Sequence, residues 1–149
     1  MKTLVIYDSV HGNTRKIAEA IGEAVSGEVK VQRAGEVDTA RLKDFELLFV
    51  GAPTHGGRPT EAMKSFLDKV EASALGGIKV AAFDTRLTAR WVRIFGYAAG
   101  SIAGAVEKKG GTLVRAPEGF FVKGTEGPLK EGELERAAAW AREIVKGAE

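Results

Sequence analysis

The chain has no cysteine, and that single absence removes disulfides, iron–sulfur clusters and thiol nucleophiles together. Any redox chemistry must then rest on a bound organic cofactor or on a metal held without thiolate. Histidine is almost as scarce: only His11 and His55 occur, with no third ligand at convincing spacing, so no metal site is expected. No apolar run approaches the ~18–20 residues that span a bilayer, and the N-terminus enters a strand directly, without a signal-peptide pattern. A cytoplasmic protein with no membrane partner is therefore expected. An excess of one charge is missing as well, since 22 Lys and Arg against 20 Asp and Glu leave +2, too little to argue for nucleic acid. Also absent are the Gly-Lys-Ser/Thr ending of a Walker loop, the G-x-G-x-x-G of a dinucleotide fold, and any elbow that would turn Ser9, His11 and Asp84 into a catalytic set. These gaps argue against nucleotide hydrolysis and a standard NAD fold, and no catalytic residue is assigned.

What is present suits one domain over residues 1–149, with 44% hydrophobic and 28% charged residues, as in an ordinary globular protein. The organising stretch is Lys2–Ala18. Leu4, Val5, Ile6 and Tyr7 form a short β-rich run, the polar loop Asp8–Thr14 follows, and then Ile17, Ala18, Ile21, Ala24 and Val25 recur at helical spacing. A strand–loop–helix junction aims free backbone N–H groups and the positive end of the helix dipole into the loop. A phosphate suits that place. The plain alternative is a capped turn with Asn13 or Thr14 as N-cap and no ligand.

Further along, Val29, Val31 and Ala34 alternate with polar residues as in a strand near a sheet edge, and 36–42 reads as a short helix or turn. Leu47–Gly51 is a continuous apolar strand ending in the polar loop 53–60. Met63, Phe66, Leu67, Val70 and Ala74 predict a helix started by Pro59-Thr60 and stopped by Gly76-Gly77. Ile78–Phe83 is the next buried strand and runs into Asp84-Thr85-Arg86. A helix around Ile102–Val106 follows. Residues 112–114 and 120–122 read as two halves of the last strand, and Leu134, Ala137, Ala138, Ala141, Ile144 and Val145 line one face of a closing helix. Strands alternating with helices predict an α/β fold with a parallel sheet, and ligands in such sheets bind at the carboxyl ends of the strands.

Ser9-x-x-Gly12-Asn13-Thr14 after an apolar strand resembles the phosphate loop of the flavodoxin family, and Gly51-Ala52-Pro53-Thr54 with His55-Gly56-Gly57 is similar to that family's second flavin loop. Asp84-Thr85-Arg86-Leu87 stands where the family packs the other side of the flavin ring. The resemblance covers the whole chain. It implies a three-layer flavodoxin-like sandwich, with a five-stranded parallel sheet in the order 2-1-3-4-5 and helices on both faces. It also implies FMN as cofactor. Ser9, Val10, His11, Gly12, Asn13 and Thr14 would hold the phosphate; Pro53, Thr54, His55, Gly56 and Gly57 would meet the N5 edge, where a glycine carbonyl can turn toward the ring. Asp84, Thr85, Arg86 and Leu87 would form the third side. The function implied is electron transfer between redox partner proteins.

The sequence departs from the family in three places. His55 stands where a stacking aromatic is usual. No tyrosine lies beside Asp84, the closest aromatic being Trp91, which either covers the flavin or packs in the core. The chain is also basic, with a pI near 8.9, whereas the family tends to be acidic. Arg86, Arg90 and Arg93 then read either as a solvated face or as a site for an acidic partner. Two other functions fit less directly: an FMN oxidoreductase acting on a quinone or porphyrinogen through a pocket at 87–97, and a flavin-free partner-binding module.

Overall fold

The apolar run that follows Lys2 becomes the strand on which the sheet is built, in a computed structural model that describes residues 1–87 and 97–149. This strand, β1 (Lys2–Tyr7), lies between β2 (Glu28–Arg33) and β3 (Leu47–Pro53), and β4 (Lys79–Arg86) pairs with β3. All these pairings are parallel. The fifth position is split as the sequence suggests. β5 (Thr112–Leu113) pairs with Lys79 and Val80, and β6 (Glu118–Phe121) pairs with Phe83–Arg86 of the same strand. The order is thus 2-1-3-4-5, all strands pointing the same way and the direction of strand addition reversing at β1/β3.

Helices α1 (Asn13–Ala24) and α4 (Glu133–Ala148) cover one face, and α2 (Glu61–Lys69) and α3 (Ala98–Lys108) the other. The period-2 geometry of β1 divides its apolar residues between two cores. Val5 packs with Ile17, Ile21, Phe49, Phe83 and Ile144 on the α1/α4 side. Leu4 and Ile6 pack with Val50, Met63, Phe66 and Ile102 on the other. β1, β3 and β4 are buried on both faces, which is why their sequences are continuous apolar runs.

Local chemistry explains most boundaries. Thr60 caps α2 by accepting the Met63 N–H at 3.4 Å, and α2 ends at Lys69, short of the predicted Ala74, which falls in a turn. The 34–44 stretch forms two short 3-10 turns, Ala34–Glu36 and Thr39–Asp44, so Ala34 lies just outside β2. In α4 the expected apolar face shifts. Leu134 is 40% exposed, and Trp140 takes the central place, meeting Phe49, Phe83 and Phe120 edge-on at centroid distances of 5.6, 6.2 and 5.7 Å.

The free edge of β6 is closed by side chains of α4. Glu133 accepts the Phe121 N–H at 2.7 Å, while Arg136 donates to the Gly119 carbonyl and to Glu118. A neighbouring strand would have offered the same acceptor and donor. Burial pushes the Glu133 carboxyl up, but hydrogen bonds from Arg136 and Phe121, with the charges of Arg136 and Lys130, outweigh it and hold the group below its ordinary value.

Candidate cofactor-binding cleft

At the carboxyl ends of the strands the first loop leaves β1 between its two neighbours, held by the Asp8 N–H on the Gly51 carbonyl at 3.1 Å. The Ser9 hydroxyl accepts the N–H groups of Gly12 at 3.0 Å and Arg15 at 3.4 Å, which leaves its own hydrogen to donate. α1 opens at Gly12, not at Asn13 or Thr14. This residue has φ +92°, a left-handed conformation that glycine adopts without strain, and it provides no side-chain cap. With Gly12 offering no side chain and Ser9 reaching only the Arg15 N–H of the first turn, the start of α1 faces the cleft with its dipole, the feature that favours an anion.

The side chains of Asn13 and Thr14 are engaged elsewhere. Asn13 Nδ2 donates to the Glu126 carbonyl at 3.2 Å, and Thr14 shares a buried hydrogen bond of 2.7 Å with Thr85 on β4. Behind the loop, buried Asp8 accepts from the Thr60 hydroxyl and from Arg33 Nη1 at 3.3 Å, and the same Nη1 donates to the Ser9 carbonyl at 3.0 Å. Four segments thus brace one loop.

The second loop continues the β3–β4 ladder by one bond, Thr54 N–H to Thr85 O at 2.9 Å, and then turns tightly. His55 and Arg58 exchange backbone hydrogen bonds of 2.8 and 3.0 Å around Gly56 and Gly57, whose φ values of +56° and +81° give a type I′ turn. A Cβ on Gly56 would meet nothing within 4 Å, so the tip of this turn is open. His11 and His55 are both exposed and both line the cleft.

The third loop begins differently from expectation. Asp84 is fully buried and takes no part in lining the cleft. Its carboxylate accepts two bonds from Arg86, at 2.7 and 2.8 Å, and a third from the Ala99 N–H at 2.9 Å. The Arg86 guanidinium lies 3.4 Å from the centroid of the Tyr97 ring. On its other side passes Gly119, where a Cβ would come within 2.1 Å of Nε. Arg86 is consequently not an exposed docking cation: its side chain is 16% exposed and its charge is matched by a forked carboxylate. Arg90, Arg93 and Trp91 lie outside the described residues. Tyr97 opens α3, whose Ala98 and Ala99 N–H groups are capped from other elements by Thr54 Oγ1 at 3.0 Å and by Asp84.

Together these loops line one cleft that opens to solvent. Of the residues singled out in the sequence, Ser9, Val10, His11, Asn13, Thr14, Pro53, Thr54, His55, Thr85, Arg86 and Leu87 line it. Gly12, Gly56 and Gly57 shape the backbone around it. Two lining residues, Val122 and Thr125, had no signal of their own. They belong to a hairpin after β6, and only the Gly124 and Gly127-Pro128 turn residues marked that stretch. No carboxylate is among the described lining residues, and among the described residues no three acidic or histidine side chains gather to hold a metal. The donor set fits a phosphorylated ligand: a helix start whose N-cap residue has no side chain, one free hydroxyl hydrogen and no opposing anion.

Comparison with known proteins agrees with this geometry. Residues 4–93 match the flavodoxin domain family model, a span that holds β1 to β4 and all three loops. An 81-residue segment is 42% identical to a flavodoxin of Aquifex aeolicus (strain VF5), covering 52% of this chain and 44% of that protein. An 89-residue segment is 35% identical to a flavodoxin of Clostridium saccharobutylicum, covering 57% and 56%. The chain thus spans about half the length of the curated relatives it matches. The solved structure of a flavodoxin from the domain Archaea is similar over 99% of both chains, with a TM-score of 0.82 and 25% identity.

Proposed function

The chain belongs to the flavodoxin family, and on that premise we propose that it binds FMN and carries electrons between redox partner proteins. The observation that carries the reading is the convergence of three loops on one cleft whose phosphate end is the glycine-led start of α1. FMN would supply the electron chemistry. This chain's residues bind and orient it: the first-turn N–H groups of α1 and the Ser9 hydroxyl take the phosphate, and the Thr14–Thr85 bond keeps that loop seated on β4. Gly56 and Gly57 let the peptide groups of the second loop face a ligand with no Cβ between.

The partners are proteins that exchange electrons at the open side of the cleft. With Arg86 neutralised, an acidic partner would meet exposed Arg58 on the second loop and exposed Lys123 on the hairpin. We place this activity in the cytoplasm, which cell fractionation tests.

The purified protein is expected to be yellow, or to bind added FMN with quenching of flavin fluorescence. Colourless protein that ignores FMN overturns the reading. A carrier also consumes neither NAD(P)H nor a quinone at steady state on its own, and turnover of either would mark an oxidoreductase.

A further inference from the structure

The hairpin after β6 is held over the first loop by more contacts than a surface turn needs. At its base Val122 donates its N–H to the Arg86 carbonyl at 3.0 Å, and Lys130 N–H to Phe121 O closes the opposite side at 2.9 Å. Lys123 N–H to Pro128 O at 2.8 Å and Gly127 N–H to Gly124 O at 3.0 Å build the arms and tip. The buried Glu133 carboxylate fixes the strand that feeds it, through the Phe121 N–H. The tip is then tied to the first loop. Asn13, itself buried, donates to the Glu126 carbonyl, and Gly127 at φ +103° gives way to it: a Cβ there would lie 2.5 Å from Asn13 Oδ1. One residue before Glu126, Thr125 lines the same cleft as Ser9, Val10 and His11.

We infer that this hairpin is a fourth wall of the cofactor cleft and that Thr125 is a further cofactor-binding residue at its phosphate end, with Asn13 as the positioning residue that holds the wall. The inference rests on the FMN reading above. Its chemistry is simple: a hydroxyl on a residue that lines the same cleft as the first loop can donate a hydrogen bond to a dianion held there, and such charge-assisted bonds are the strong ones. Asn13 acts through the hairpin, with one hydrogen of its side-chain amide directed at the Glu126 carbonyl.

The test is fluorescence titration of FMN and of riboflavin, which lacks the phosphate, against the wild type, Thr125→Val, Thr125→Ser and Asn13→Ala. Thr125→Val should lower FMN affinity about tenfold, the size of one hydrogen bond to a charged group, and leave riboflavin affinity unchanged. Thr125→Ser should restore FMN binding. Asn13→Ala should weaken FMN binding and speed proteolysis between residues 123 and 127, a readout that needs no ligand. A wild type that prefers FMN while Thr125→Val keeps the same FMN-to-riboflavin ratio overturns this inference and leaves the FMN reading standing. A wild type that binds neither flavin overturns both.

Discussion

Thr14 and Thr85 meet beneath the cleft with hydroxyl oxygens 2.7 Å apart, and both side chains are buried. Thr14 lies in the first turn of α1 and Thr85 next to the last residue of β4, so this bond joins the first loop to the third. Thr14→Val or Thr85→Val alone strands a buried hydroxyl and should destabilise the fold by about 1–3 kcal/mol. The double variant removes both polar groups and should cost less than the two singles summed. Urea unfolding of the four proteins measures this coupling, and strict additivity would show the hydroxyls do not interact.

Gly12 has room for a side chain but not the backbone for one. Its Cβ would meet nothing within 4 Å, yet φ is +92°. Gly12→Ala should therefore cost only about 1–2 kcal/mol of stability, from the left-handed conformation. Gly12→Asp adds a carboxylate at the helix start and should lower FMN affinity at least about tenfold more than it lowers riboflavin affinity. Equal losses for both flavins would place the phosphate elsewhere.

Asp84 holds Arg86 and the first turn of α3 at once. Asp84→Ala leaves a mostly buried guanidinium without its partner and should destabilise the protein by about 3 kcal/mol or more. Chemical denaturation of Asp84→Ala beside Arg86→Ala measures it, and a loss below about 1 kcal/mol, the range of exposed pairs, would contradict the buried fork.

Glu133 gives the fold an acid limit. Its carboxyl sits below the ordinary 4.5 when folded, so its contribution is complete above that value and is lost as pH falls through the folded value. Glu133→Gln should flatten the stability curve below about pH 4.5 and leave its shape near neutrality unchanged. Thermal melts of both proteins across the acid range decide it; parallel curves would mean that the carboxyl titrates as it does unfolded.

Arg58 supplies positive charge at the exposed second loop. If that charge guides acceptors, the FMN-loaded protein, first reduced with dithionite and freed of excess reductant, should reduce a small anionic acceptor such as ferricyanide more slowly as salt rises, and Arg58→Glu should slow it severalfold at low salt. A cationic acceptor should show the opposite trend. Rates indifferent to acceptor charge would remove Arg58 from docking.

Much of the architecture was legible along the chain. The run Leu4–Tyr7 and the run Leu47–Val50 are apolar because helices cover both faces, and the split last strand declared itself by a turn between two short β-rich pieces. The strand–loop–helix junction at the start of α1 was legible for a similar reason: a strand, a glycine-containing polar loop and a helix are neighbours in sequence. Leu134 and Trp140 were harder to sort, because 3.6-residue periodicity locates a face but not its edges.

By itself, then, the sequence determined the elements, their order and the loop that suits a phosphate, all set by propensities and periodicities acting over a few residues. Tertiary structure alone decided which polar groups remain for a ligand. Register between β4 and β6 sets Asp84 opposite Gly119 and Arg86 opposite Phe121, and there Arg86 is trapped beside Tyr97 with its charge matched. The same register carries the hairpin back to Asn13, 113 positions before its partner Glu126. Such pairings depend on where distant backbones meet, and no local pattern of residues encodes that.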